Sequence, residues 1–536
     1  MFNWSTIRWR MVLLHDTGRA IRGHRSILLA CLIAMAAACD GTTGPAEVMA
    51  PQSDDKRIVR VAMRRLPPAM ADIAAHSGQP SIDIWPAFLD ALTFIDADGQ
   101  TRPWLATDWT LVDDTTWHFR LREGVRFSNG EPFDARAVQA SVDNVLFGYG
   151  ATNLVRYSLL PTVSGARIVD SHTIEIRTSV PDPLLPRRLA QFYPLPPEYF
   201  AKVGPQGFAR RPVGTGPFMV TDWDVGIVRT RVNPYAWNPP LVDGVDFLEI
   251  PDTTARRQAI ESHQVNIAQY LSPDDIADLK ALGIDAVQAP EPRIRLVAFI
   301  VREGSPLESV LVRKALNLAV DRQAIVKYLL AGAPVATQVG IRAMEGFDTT
   351  IRPFPHDPAR ARRLLAEAGY PDGLSLTAEV LASDNTDRLV FEAVAADLRE
   401  VGVEVDLQTV EFERWRANLL TGNWKGDLYT WSAAIGPLFD ISRIWQYLSC
   451  DRPKPPFCQQ EVSDLIKERS TEMDVARRAE LMTRANTLLR EDPPVILLHE
   501  LTAVNALRRV RGYEVHNLIV RWDRLDLEDD GGEVVE

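Results

Sequence analysis

Cysteine thiols are the residues of this chain whose type and spacing most directly suggest chemistry. There are four in 536 residues: Cys31, Cys39, Cys450 and Cys458. Cys450 and Cys458 bracket the Pro-rich loop CDRPKPPFC. In an oxidising compartment two cysteines flanking a short loop are candidates for a disulfide, with two buried free thiols as the alternative. A metal site is not expected, because no His or second Cys pair lies at ligand spacing. Catalytic signatures are missing as well: there is no GxSxG, no HExxH, no P-loop and no GxGxxG opening a helix. His499-Glu500 is followed by Leu-Thr-Ala-Val-Asn, so a second zinc-binding His does not follow, and no two of the nine histidines stand at i, i+4. An enzyme is not expected, nor is a cofactor.

Cys39 fixes the compartment. Arg19, Arg22 and Arg25 precede the apolar run 27–38 (ILLACLIAMAAA), which ends at Cys39. That run is shorter than the roughly 20 apolar residues a bilayer span needs. The order of basic stretch, apolar core, small residues and Cys resembles a bacterial lipoprotein signal. Residues 1–38 are then a signal peptide, and Cys39 is the lipid attachment site of a periplasmic or extracytoplasmic protein held at the cell membrane. Ala36 stands where such signals usually carry Leu, and Ala36-Ala37-Ala38 also fits an ordinary A-x-A cleavage site, which would release a soluble form. Residues 39–55 are small, polar and Pro-containing, and read as a flexible tether.

The composition is that of a globular protein, 46% hydrophobic and 24% charged, and the length allows two to four domains. Formal net charge is −12; five Arg and one Asp in 1–38 give that segment +4, so residues 39–536 carry −16. No basic stripe is present, which argues against nucleic-acid binding. Residues 116–122 (TWHFRLR) alternate as a half-buried strand, and Asp134 can cap a helix after it. Asp357-Pro358 opens a helix that stops at Gly369. Residues 374–382, 386–402 and 403–410 form a β-α-β unit, which requires parallel strands. Residues 309–330 carry apolar residues at helical spacing up to Gly332. The acidic tail 526–536 reads as disordered.

Five collinear segments resemble the family 5 extracellular solute-binding proteins of ABC importers, the dipeptide-, oligopeptide- and nickel-binding class. They are 102–138 (RPWLATDWTLVDDTTWHFRLREGVRFSNGEPFDARAV), 214–223 (GTGPFMVTDW) with Asn233 to Trp237, 312–326 (VRKALNLAVDRQAIV), 356–373 (HDPARARRLLAEAGYPDG) and 493–500 (PPVILLHE). The resemblance implies an α/β, two-lobed periplasmic binding protein fold (class II type) with an extra N-terminal α+β domain. It places lobe I at 56–82, 205–290 and 500–525, the inserted domain at 83–204, and lobe II at 291–499. It implies a small-molecule or peptide ligand and an ABC permease in the inner membrane as partners, and a monomer. A ligand sensor or folding helper on the same fold is the alternative to transport.

In peptide-binding members an Asp three residues after a Trp pairs with the ligand's α-amino group. Here Trp431 is followed at that distance by Ala434, and Asp440 lies farther on. This departure moves weight toward solutes without a free amino end, such as a sugar, an opine-like compound or a metal chelate. Trp431, Ala434, Asp440 and Trp424 are the candidate ligand-binding residues of this stretch. Arg293 and Arg295, near the expected crossing strands, are candidates for a ligand carboxylate. Arg313, Thr215 and Gly216 are expected to be structural.

Overall fold

The computed structural model describes residues 57–68, 70–73, 80–148, 155–156, 159–381, 385–434, 440–445, 447–516 and 518–528. Cys39 and the expected signal and tether segments 1–55 lie outside the described residues, as do residues 529–536 of the expected disordered tail 526–536; the start of that tail is ordered, because Asp526–Leu527 pairs with Val510–Arg511.

A ten-stranded mixed sheet runs through the molecule. Its order is Val403–Thr409, Leu374–Val380, Leu428–Ala434, Asp285–Phe299, Val495–Leu507, Ile267–Leu271, Ile58–Met63, Gly244–Glu249, Ile227–Val232 and Phe218–Asp224. The two central strands are long, with 15 and 13 residues. They are antiparallel and pair twice, 285–290 against 502–507 and 294–298 against 495–500. The register breaks between Pro290 and Ile294 and again between Arg295 and Leu296. Asp285–Phe299 meets Leu428–Ala434 only through Arg293 to Phe299, whereas Val495–Leu507 meets Ile267–Leu271 only from Val504 onward. The long strands therefore belong to both halves of a two-lobed fold. A separate four-stranded sheet, in the order Ala106–Asp113, Thr116–Leu121, Thr173–Thr178 and Val163–Asp170, has its own core of Trp117, Phe119, Phe127, Phe133 and Ile174.

Local sequence logic accounts for many elements. The β-α-β unit is present: Leu374–Val380 and Val403–Thr409 pair in parallel over seven residues, joined by the helix Asn385–Glu400. Asp357 accepts from the Arg360 amide at 2.9 Å and opens the helix Pro358–Glu367. The stretch 309–330, periodic throughout, is two helices, Val310–Ala319 and Arg322–Leu329. Periodicity is overridden there because the Asp321 side chain caps the Ala324 amide, while the buried Arg322 guanidinium donates to the carbonyls of Asn317, Val320 and Leu497. Arg313 is structural: its guanidinium donates to the Leu307 and Glu308 carbonyls and pairs with Asp492. Cys450 and Cys458 are joined by a disulfide, their Cα atoms 4.7 Å apart.

Two of the five segments that carry the family resemblance supply three donors to one carboxylate. Asp90 is 5% exposed and accepts from Trp104 Nε1 at 2.7 Å, Thr215 Oγ1 at 2.9 Å and Trp237 Nε1 at 2.9 Å. Burial pushes its carboxyl above the ordinary range, outweighing the three donors. The turn holding Thr215 passes so close to Phe88 that a Cβ at Gly216 would lie 2.6 Å from the Phe88 carbonyl carbon, so only glycine fits.

Candidate ligand-binding site

The crossing strands form the floor of a cavity of 880 Å³. One half contributes Met63, Asp83 and Tyr270 to its wall, and the other Asp387 and Ser432. The long strands contribute Glu291, Arg293, Arg295 and His499.

Tyr270 is aimed into the cavity by a backbone irregularity. Its φ is +56°, and the register shifts between Ala268 and Leu271. A non-glycine residue in the left-handed region carries strain and is held there by its surroundings. The holder is Arg256, 1% exposed, whose guanidinium donates to the carbonyls of Gln269 at 2.9 Å, Tyr270 at 2.7 Å, Ile250 at 2.8 Å and Pro251 at 2.8 Å. The Tyr270 amide donates to Asn505 Oδ1 at 3.2 Å. Burial, with Asp83 and Glu291 nearby, raises the Tyr270 hydroxyl well above its usual pKa, so it remains a donor.

The floor carries two cations, each with an acid partner. Arg293 Nε donates to Glu291 Oε2 at 2.6 Å. Burial opposes the Arg293 charge, but Glu291, Tyr270 and Asp83 together hold its pKa above the ordinary value. Arg295 is 5% exposed, pairs with Asp387 at 2.5 Å and lies over the Phe391 ring. Beside it, burial first and Arg295 second drive the His499 ring down to about 4, against the Glu500 carbonyl that favours its protonation. Burial raises the Glu500 carboxyl to about 7. Positioned acceptors, donors and compensated charges on walls from both halves can bind a polar solute and draw the halves together.

Residues 100–454 match the family described as bacterial extracellular solute-binding proteins, family 5 middle. The chain belongs to this family. It is similar to the glutathione-binding protein GsiB of Escherichia coli O1:K1, 27% identical over 442 residues that cover 77% of this chain and 83% of that protein. Among solved structures it resembles the periplasmic binding protein DppA from Helicobacter pylori in complex with the peptide STSA (TM-score 0.73, 20% identity, 88% of this chain and 98% of that one). It also resembles NikA from Brucella suis in complex with Fe(III)-EDTA (TM-score 0.75, 23% identity, 88% and 100%). These two likenesses show the fold.

In this family 5 solute-binding protein the sequence candidates separate. Arg293 and Arg295 line the cavity. Trp431, Trp424 and Asp440 are not among its lining residues. Trp431 is 6% exposed and packs edge-on against Tyr447, with ring centroids 5.5 Å apart. Trp424 stacks on Tyr429 at 4.0 Å in the same core. Asp440 is fully buried and accepts from Arg469 Nη1 at 2.6 Å. Ala434 stands opposite Arg293 in the strand register, and the loop 435–439 after it lies outside the described residues. Sequence reasoning passed over Tyr270, Asp83, Glu291, Asp387, Ser432 and His499 as site residues. One signal was available: Glu291, Arg293 and Arg295 alternate at the head of the apolar run LVAFI, which is unusual for a central strand unless one face meets a polar cavity.

Proposed function

We propose that this protein, the substrate-binding component of an ABC importer, takes a small carboxylate-bearing or peptide-like solute into the cavity and closes over it without chemical turnover. The observation that carries the reading is the cavity itself, walled by both halves and floored by Arg293 and Arg295 on a strand that crosses between them. A solute touching both walls favours the closed arrangement by its extra contacts there, which gives a permease a readable signal of occupancy. The register breaks beside Glu291 and Arg295 support a hinge at the 290/291 and 499/500 boundaries between the lobes. The name of the glutathione-binding relatives supports a peptide-like solute.

A free α-amino end is disfavoured. Ala, not Asp, follows Trp431 by three residues, and the residue opposite it in register is the cation Arg293. Glu291 and Asp387 are engaged by Arg293 and Arg295, so an ammonium buried beside Ala434 without a carboxylate of its own costs several kcal/mol, about a hundredfold or more in affinity. Calorimetric titration with di- and tripeptides bearing free amino ends should therefore detect only weak binding. Sub-micromolar binding would contradict the reading.

We further place the mature protein outside the cytoplasm, tethered as a monomer through lipidated Cys39. A tether raises its effective concentration near the permease. Cells fed radioactive palmitate should label the wild-type chain and not Cys39→Ala; an unlabelled wild type would mean a freely diffusing form.

A further inference from the structure

Across three adjacent strands the register sets His499, Arg295 and Ser432 in one row, with Arg295 opposite His499 on one side and Ser432 on the other. Directly opposed residues of antiparallel strands present their side chains on the same face, and all three line the cavity. The charge of Arg295 is met by Asp387. Its two neighbours lack such partners. His499 is 5% exposed, and its Nδ1–H donates to the Glu500 carbonyl at 3.0 Å, which leaves the lone pair on Nε2. His499 Nε2 and Ser432 Oγ are both buried atoms with no hydrogen-bond partner. Burial keeps the ring neutral at ordinary pH, so Nε2 stays an acceptor. Buried polar atoms are rarely left unpaired, and those that are call for an occupant.

We propose that His499 Nε2 and Ser432 Oγ form a specificity subsite for uncharged hydroxyl or amide N–H donors of the solute. The inference rests on the cavity being the solute site and names the chemistry taken there. The donor must be uncharged because Arg295 lies between the two acceptors and Arg293 lies two residues along the same face. An ammonium in that row would meet like charge, whereas a hydroxyl or amide satisfies both orphan atoms and leaves the solute's carboxylate to the arginines. An ordered water bridging the row is the competing occupant.

The test titrates the full mature protein with N-acetyl-trialanine (amide donor), gluconate (hydroxyl donors) and trialanine (ammonium). The wild type should bind at least one of the first two at least tenfold more tightly than trialanine. His499→Phe and Ser432→Ala should each weaken that binding at least tenfold, and His499→Gln, which restores an acceptor, should recover part of it. Failure of both N-acetyl-trialanine and gluconate to bind overturns the subsite. Binding unchanged in His499→Phe also overturns it, in favour of a bridging water, and leaves the cavity reading standing. The cavity reading itself fails if binding survives the combined loss of Arg295 and Asp387 charge.

Discussion

Asp90→Ala should lower the free energy of unfolding by about 3–4 kcal/mol. The substitution strips the acceptor from two indole N–H groups and the Thr215 hydroxyl, and it opens a void at a buried position. Each buried donor left unpaired costs about 1–3 kcal/mol. Relief of the buried carboxylate's own desolvation offsets part of that sum, as its raised pKa requires. Asp90→Asn should cost less, because its amide oxygen still accepts, but should not be neutral, because one acceptor becomes a donor. Urea unfolding followed by tryptophan fluorescence measures both. A loss below about 1 kcal/mol for the alanine variant would mean that the three donors do not depend on this carboxylate.

The second large effect separates the scaffold from the site. Arg295 and Asp387 are a nearly buried pair, with side chains 6% and 10% exposed. Arg295→Gln or Asp387→Asn alone leaves one uncompensated charge and should cost about 3 kcal/mol of stability. The double variant removes both charges and should recover most of that loss, since a buried pair often adds little net stability over neutral partners. Affinity should not recover with it. Charge-assisted bonds to a carboxylate contribute about 1.5–3 kcal/mol, so N-acetyl-trialanine should bind the double variant roughly 10- to 100-fold more weakly than the wild type. Restored binding together with restored stability would show that the pair serves only the scaffold.

What could be read from the chain was what short-range physics controls. The capped helix at Pro358, the parallel unit at 374–410 and the Cys450–Cys458 pair each depend on residues close together in sequence. Asp90 was invisible because its donors lie 14, 125 and 147 residues away. The break at Asp321 escaped notice because tertiary bonds from Arg322 decide it, not periodicity. The site shows the sharpest lesson. Trp431 and Ser432 are adjacent, and successive residues of a strand face opposite ways. Tyr429, Trp431 and Ala433 therefore fill the core with Ile294 and Leu296, while Ser432 joins Arg295 on the cavity face. The family resemblance favoured the aromatic residue as the ligand contact, and one step of register assigns that place to its neighbour.

The most direct test of solute capture between the lobes is native mass spectrometry of the protein, purified without denaturation, beside the Arg295→Gln/Asp387→Asn double variant. One small carboxylate-bearing solute per wild-type chain, lost from the folded double variant, is the predicted result. A wild-type chain that carries no solute after exposure to a periplasmic extract, or a double variant that retains the same solute, would contradict it.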